Sequence, residues 1–277
     1  MKKEKKKLSS RFKVEGVVET LRKGLVDVAV ECTPANFKDA EPGFTHIMEA
    51  LKSGSNVITT NKGPLALYMP SIIEEAKARG LVVLYSGTVG GGTPFIQFAE
   101  KTLKGNRILS IKGILNGTTN FILTKMTREN YSLRDALEEA KKLGIAEADP
   151  WLDLSGTDSA AKLVILMNHI FDEKITLKDV EVRGLSEELP PHDEDHVVKL
   201  IASSSPKPRV ALEVIPKQSP LNVEGTYNAV EFDVEELGKV YLIGKGAGGK
   251  ETAAAVLRDI VELKERLKIQ YYEKGYF

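Results

Sequence analysis

The chain has a single cysteine, no excess of either charge and no long apolar run, and each of these absences removes a class of function. One thiol, Cys32, rules out an intrachain disulfide framework and fits a reducing compartment, so a cytoplasmic location is expected. Lys plus Arg and Asp plus Glu number 39 each, which leaves no overall field to draw the chain to nucleic acid or an anionic membrane. No apolar stretch approaches the roughly 20 residues of a membrane span, and the lysine-rich start lacks the apolar core of a signal peptide. No Ser/His/Asp or CxxC arrangement stands out. His192 and His196 have a metal-compatible i,i+4 spacing, but their charged, proline-flanked setting predicts an exposed loop or helix start. Cys32 follows a strand-like run and is expected to be an inert, partly buried thiol.

What is present is organised. Residues 25–31, 56–60 and 81–85 read as short buried strands, with helical periods over 44–52 and 71–79 between them. Such alternation predicts parallel βαβ units, whose ligands sit beyond the carboxyl ends of the strands. That rim would carry Thr33, a turn holding Lys62, and the glycine-rich loop 86–92. Further on, a strand over 107–114 leads to a turn at 115–120. Ser132 caps a helix with Asp135 in the capping-box position. Runs at 209–215, 229–234 and 239–243 predict a mostly antiparallel sheet. The loop Gly244-Lys-Gly-Ala-Gly-Gly249 opens a last helix and could offer free N–H groups to a phosphate. The fold class is therefore α/β.

The most informative stretch is 144–162. Four carboxylates, Glu147, Asp149, Asp153 and Asp158, precede Lys162, which is embedded in an apolar helical run. Carboxylates on a loop feeding a helix can hold an amine and a hydroxyl, and a desolvated lysine one turn later can exchange a proton with that hydroxyl. The alternative is a surface ion pair, since Asp158 and Lys162 stand four apart in the favourable order. Spacing leaves both readings open.

Seven ordered segments then resemble homoserine dehydrogenase: Val-Glu-Cys-Thr-Pro at 30–34, Val-Ile-Thr-Thr-Asn-Lys-Gly-Pro at 57–64, Thr-Val-Gly-Gly-Gly at 88–92, Gly-Ile-Leu-Asn-Gly-Thr-Thr-Asn at 113–120, Gly-Ile-Ala-Glu-Ala-Asp-Pro at 144–150, Gly-Thr-Asp-Ser-Ala-Ala-Lys at 156–162 and Gly-Ala-Gly-Gly at 246–249. The resemblance implies NAD- or NADP-dependent interconversion of L-homoserine and L-aspartate 4-semialdehyde, in threonine, methionine and isoleucine biosynthesis. It makes Lys162 and Lys62 the proton-handling pair, mutually depressing each other's pKa. Gly144, Glu147, Asp153 and Asp158 become the substrate residues, and Thr33, Thr60, Lys62 and Gly248 the cofactor contacts. Val89, Gly91 and Thr93 match backbone ligands of a monovalent cation, usually sodium, whose side-chain ligand falls at Ser86. The implied fold is an incomplete Rossmann-type doubly wound parallel sheet (1–86, completed by 245–277) with an α+β substrate and dimerisation domain (87–244), assembled as a homodimer. The family's opening strand, GxGxxG turn and helix have no counterpart before Leu25, where residues 11–21 read as a charged helix. Weak cofactor binding is the resulting expectation, with a catalytically impaired fragment or a non-catalytic homoserine-binding dimer as the alternative.

Overall fold

The computed structural model describes residues 16–273. A helix, α1 (Val17–Arg22), occupies part of the segment read as helical, whose residues 11–15 lie outside the described ones. Then β1 (Val28–Glu31), α2 (Gly43–Lys52), β2 (Asn56–Thr59), α3 (Lys62–Ala78) and β3 (Val83–Leu84) form a three-stranded parallel sheet in the order β1-β2-β3. Residues Val57 and Ile58 of β2 are fully covered, as the central strand of a parallel sheet requires. Outer strand β1 leaves Val30 47% exposed. Cys32, just past this strand, is exposed rather than partly buried as the sequence suggested.

The 59–64 turn also differs from its sequence reading. Asn61 caps α3 by accepting from the Gly63 N–H at 3.0 Å, so Lys62 is the first residue of a helix and not part of a loop. Helix α3 runs across Pro70 by kinking at Tyr68, whose backbone is non-helical, which is how a proline is accommodated inside a helix.

After α4 (Phe95–Gln97), the chain builds β4 (Ile108–Ile114), α5 (Gly117–Glu129), α6 (Leu133–Lys142), α7 (Trp151–Leu154) and α8 (Thr157–Phe171). Next come β5 (Glu181–Val182), β6 (His196–Ser203), β7 (Arg209–Pro216), β8 (Tyr227–Val234), β9 (Gly238–Lys245) and the long α9 (Gly249–Glu273). Six strands pair in the order β5-β7-β6-β4-β8-β9, antiparallel except β5 with β7. One face (Val198, Leu200, Val210, Val230, Phe232) joins the main core with Leu163, Val164 and Met167 of α8. The alternating face carries the ion pairs Lys112–Glu213 at 2.6 Å and Lys239–Glu231 at 3.1 Å.

Strand β6 was not legible in the sequence. His196 opens it instead of a loop or helix, and pairs with Asp193 at 2.5 Å. Its run is interrupted by Lys199, which is only 2% exposed. The ammonium donates to Asn120 Oδ1 at 2.8 Å, Thr124 Oγ1 at 3.3 Å and the Val223 carbonyl at 2.7 Å, all neutral acceptors. Burial, helped by the charge of Arg128, pushes the Lys199 pKa from its ordinary 10.5 down to about 8. Below pH 8 both folded and unfolded chains hold this proton, and the fold bears the full cost of the buried cation. Between 8 and 10.5 the unfolded chain alone keeps it, so stability rises with pH by about 3 kcal/mol in total. Urea melts of wild type and Lys199→Met across that window should show this rise only in wild type; equal slopes would contradict it.

Candidate active site

The site is assembled at the buried start of α8. Gly156, the residue before this helix, adopts a left-handed φ of 81°, and a Cβ there would meet Val182 at 3.0 Å. A tight entry of this kind drives the first turns of α8 inward, so Asp158 is 7% and Lys162 6% exposed. The surface ion-pair alternative is thereby removed, although the pair itself exists: Lys162 Nζ lies 2.7 Å from Asp158 Oδ2. Lys162 also donates to the Leu115 carbonyl at 2.6 Å. Asp158 Oδ1 receives Lys62 Nζ at 3.0 Å from the start of α3. One carboxylate therefore holds an ammonium on each oxygen.

Sequence reasoning missed Asn116 as a member of this group. Its side-chain amide donates to Asp158 Oδ2 at 2.9 Å and to Asp153 Oδ1 at 2.6 Å. Its carbonyl oxygen meanwhile caps α5 by accepting from Thr119 N–H at 2.9 Å. An Asn directly before Gly-Thr-Thr at a helix start was the available signal.

The electrostatics separate the two lysines. Burial lowers the Lys162 pKa and the Lys62 charge lowers it further, against the opposing pull of Asp158. Lys62 moves the other way, because the Asp158 charge outweighs its own burial, so the expected mutual depression holds for one lysine only. Burial would raise the Asp158 carboxyl, but Lys162 and Lys62 overcome it and hold the group far below the usual carboxylate range. Of the two, Lys162 therefore gives up its proton the more readily, and Lys62 is held in its charged form.

These groups line a cleft of about 690 Å³ between the two sheets. Lys62, Lys162, Gly144, Glu147, Asp153, Asp158, Thr60, Gly91 and Gly248 all face it, and so does Asp149, whose side chain accepts from Trp151 N–H at 3.1 Å just ahead of α7. Thr33 and Val89 do not line it. The Thr33 hydroxyl donates to Glu31 and accepts from Asn61 at 3.2 Å, tying the end of β1 to the α3 cap. Val89 is fully buried. Thr118 and Thr226 face the cleft without having been read from the sequence. The histidine pair lies elsewhere, with His192 hydrogen-bonded to the Pro190 carbonyl at 2.9 Å. Among the described residues no cluster of His, Cys, Asp or Glu is arranged to hold a metal ion, and no helix is long and apolar enough to cross a membrane.

The sequence profile of homoserine dehydrogenase matches residues 94–261. The homoserine dehydrogenase of Methanocaldococcus jannaschii is 44% identical over 257 residues, covering 91% of this chain and 76% of its own. The chain belongs to the homoserine dehydrogenase family. Crystal coordinates of a putative homoserine dehydrogenase from Archaeoglobus fulgidus superpose with a TM-score of 0.82 at 38% identity, covering 89% of this chain and 77% of that one. A hyperthermophilic archaeal homoserine dehydrogenase in complex with NADPH gives 0.80 at 32% identity, covering 91% and 76%.

The cleft fits the nicotinamide cofactor of the family. Its wall is glycine-rich at 87, 91, 246 and 248, where a Cβ would run into neighbouring protein atoms, so the backbone itself forms the cleft surface. A Cβ on Gly246 would fall 2.0 Å from the buried Asn228 side chain, so only glycine allows this turn to lie flat against β8. The cation residues fit less well. The Thr93 carbonyl already accepts from Phe95 N–H at 2.9 Å, its hydroxyl donates to the Lys245 carbonyl at 3.1 Å, and Ser86 brings no carboxylate.

Proposed function

We propose that this chain interconverts L-homoserine and L-aspartate 4-semialdehyde with NADP or NAD. The observation that carries the reading is Asp158 holding Lys62 and Lys162, one on each oxygen, at the wall of the glycine-lined cleft. We assign Lys162 as the acid/base that takes the alcohol proton during oxidation and returns it during reduction. Lys62, kept charged, orients the oxygen, and Asp158 holds both ammoniums in place. Glu147 and Asp153 attract the substrate's ammonium, and Gly144 leaves the entry open. When bound, the nicotinamide supplies the hydride acceptor. Thr60 and Gly248 line the cofactor's side, and Thr33 supports that side through Asn61.

We assign contacts to the cofactor to the N-terminus of α9, where Gly246, Ala247 and Gly248 face the cleft. The same reading divides the chain into a nucleotide half, 1–86 with 245–277, and a substrate half, 87–244. The six-stranded sheet of the latter is the surface for a homodimer.

Analogues test the substrate assignment. With cofactor present, 4-hydroxybutyrate (no amine) and L-2-aminobutyrate (no hydroxyl) should each bind about 10- to 100-fold more weakly than L-homoserine. That range reflects the loss of a charge-assisted hydrogen bond worth about 1.5–3 kcal/mol. Equal affinity for all three by calorimetry would exclude this carboxylate–lysine site as the substrate pocket.

A further inference from the structure

We propose that the Arg258 guanidinium takes the place of a monovalent cation beside the 86–93 loop, so that this chain has no use for sodium or potassium. Arg258 projects from α9 and donates to the Gly92 carbonyl at 3.1 Å and to the Ser86 hydroxyl at 3.4 Å. It therefore spans the position expected to supply the cation's side-chain ligand and a carbonyl of the loop that carries its backbone ligands. Its Nε is buried and has no hydrogen-bond partner among the described residues, and the residue as a whole is half-buried against the loop.

The surroundings leave little for a second positive charge. The neighbouring carboxylate, Asp259, is already used on both oxygens, accepting from Ser86 N–H at 2.9 Å and from Gln97 Nε2 at 3.1 Å. Thr93's carbonyl is likewise taken. A metal ion placed here would face the guanidinium at short range, with the charge of Asp259 already acting on that cation. The guanidinium also does what such an ion would do mechanically: it staples the loop containing Gly91, which lines the cleft, to α9. Gly92 lies close enough to α9 that a Cβ there would meet the Glu251 backbone at 3.2 Å.

The test reads thermal unfolding, so it is independent of turnover and of the proposed substrate. Wild type is melted in sodium, potassium or choline chloride at matched ionic strength, with the three midpoints expected to agree within about 1 °C. Arg258→Met should melt lower, and sodium, potassium or guanidinium at millimolar concentration should restore at least about 2 °C relative to choline. A saturable sodium- or potassium-specific rise in wild type would overturn the proposal. So would a folded Arg258→Met that none of the three cations stabilises. If Arg258→Met does not fold, Arg258→Gln, which also removes the charge, replaces it under the same criteria.

Discussion

Lys162→Met should lower the rate of homoserine oxidation by about 10²- to 10⁴-fold, the usual contribution of a positioned acid/base, while leaving cofactor affinity nearly unchanged. Oxidation needs the neutral amine to take the hydroxyl proton. The Lys162 pKa is lowered by burial first and by the Lys62 charge second, against Asp158, so the neutral form becomes available well before it would in water. The wild-type rate should accordingly climb as pH rises through the Lys162 pKa, and this limb should vanish in the variant. Stability will fall too. Loss of a lysine from a surface pair would cost under about 1 kcal/mol. In the structure the substitution leaves the Leu115 carbonyl without its 2.6 Å donor, a loss of about 1–3 kcal/mol. A variant that oxidised homoserine at the wild-type rate with an unchanged pH profile would refute the role.

Asp158→Ala should be the most destabilising single change at the site, by about 3–5 kcal/mol, because it leaves two ammoniums close together without their shared counterion. The midpoint of thermal unfolding should drop by about 10 °C. Asp158→Asn keeps the shape but not the charge, and should lose most of the same amount. The pH dependence has a definite sign. The folded carboxyl lies far below its ordinary 3.8, so its contribution is complete above about pH 4 and is lost progressively as pH falls below that. Denaturant melts at pH 7 and pH 3 should therefore show a large gap between wild type and Asp158→Ala at the first and a smaller gap at the second. A difference under about 1 kcal/mol at pH 7 would mean that the pair is not the centre of the site.

Local patterns were legible where a short segment decides its own structure. The strands at 56–60 and 229–234, the Ser132 cap and the carboxylate loop leading to Lys162 all depend on neighbours within a few residues. The continuity of α3 did not show, because Pro70 reads as a stop until packing holds the kink at Tyr68. Strand β6 was hidden by Lys199, a residue that belongs in water unless three acceptors from α5 and the loop before β8 meet it. Asn116 and Arg258 show the same limit at the site. Asn116 reaches carboxylates 37 and 42 residues away, and Arg258 reaches a hydroxyl 172 residues away. Such contacts arise from tertiary packing, and no local periodicity encodes them.

The measurement that bears most directly on the proposed chemistry is the yield of aldehyde, trapped by a hydrazine, against reduced nicotinamide when the purified protein is given L-homoserine with NADP and then with NAD. The expected result is equal amounts of the two products with at least one cofactor, and neither product when homoserine is omitted. Folded protein that forms no aldehyde with either cofactor would contradict the assignment of Lys162, Lys62 and Asp158 to hydride-coupled proton transfer.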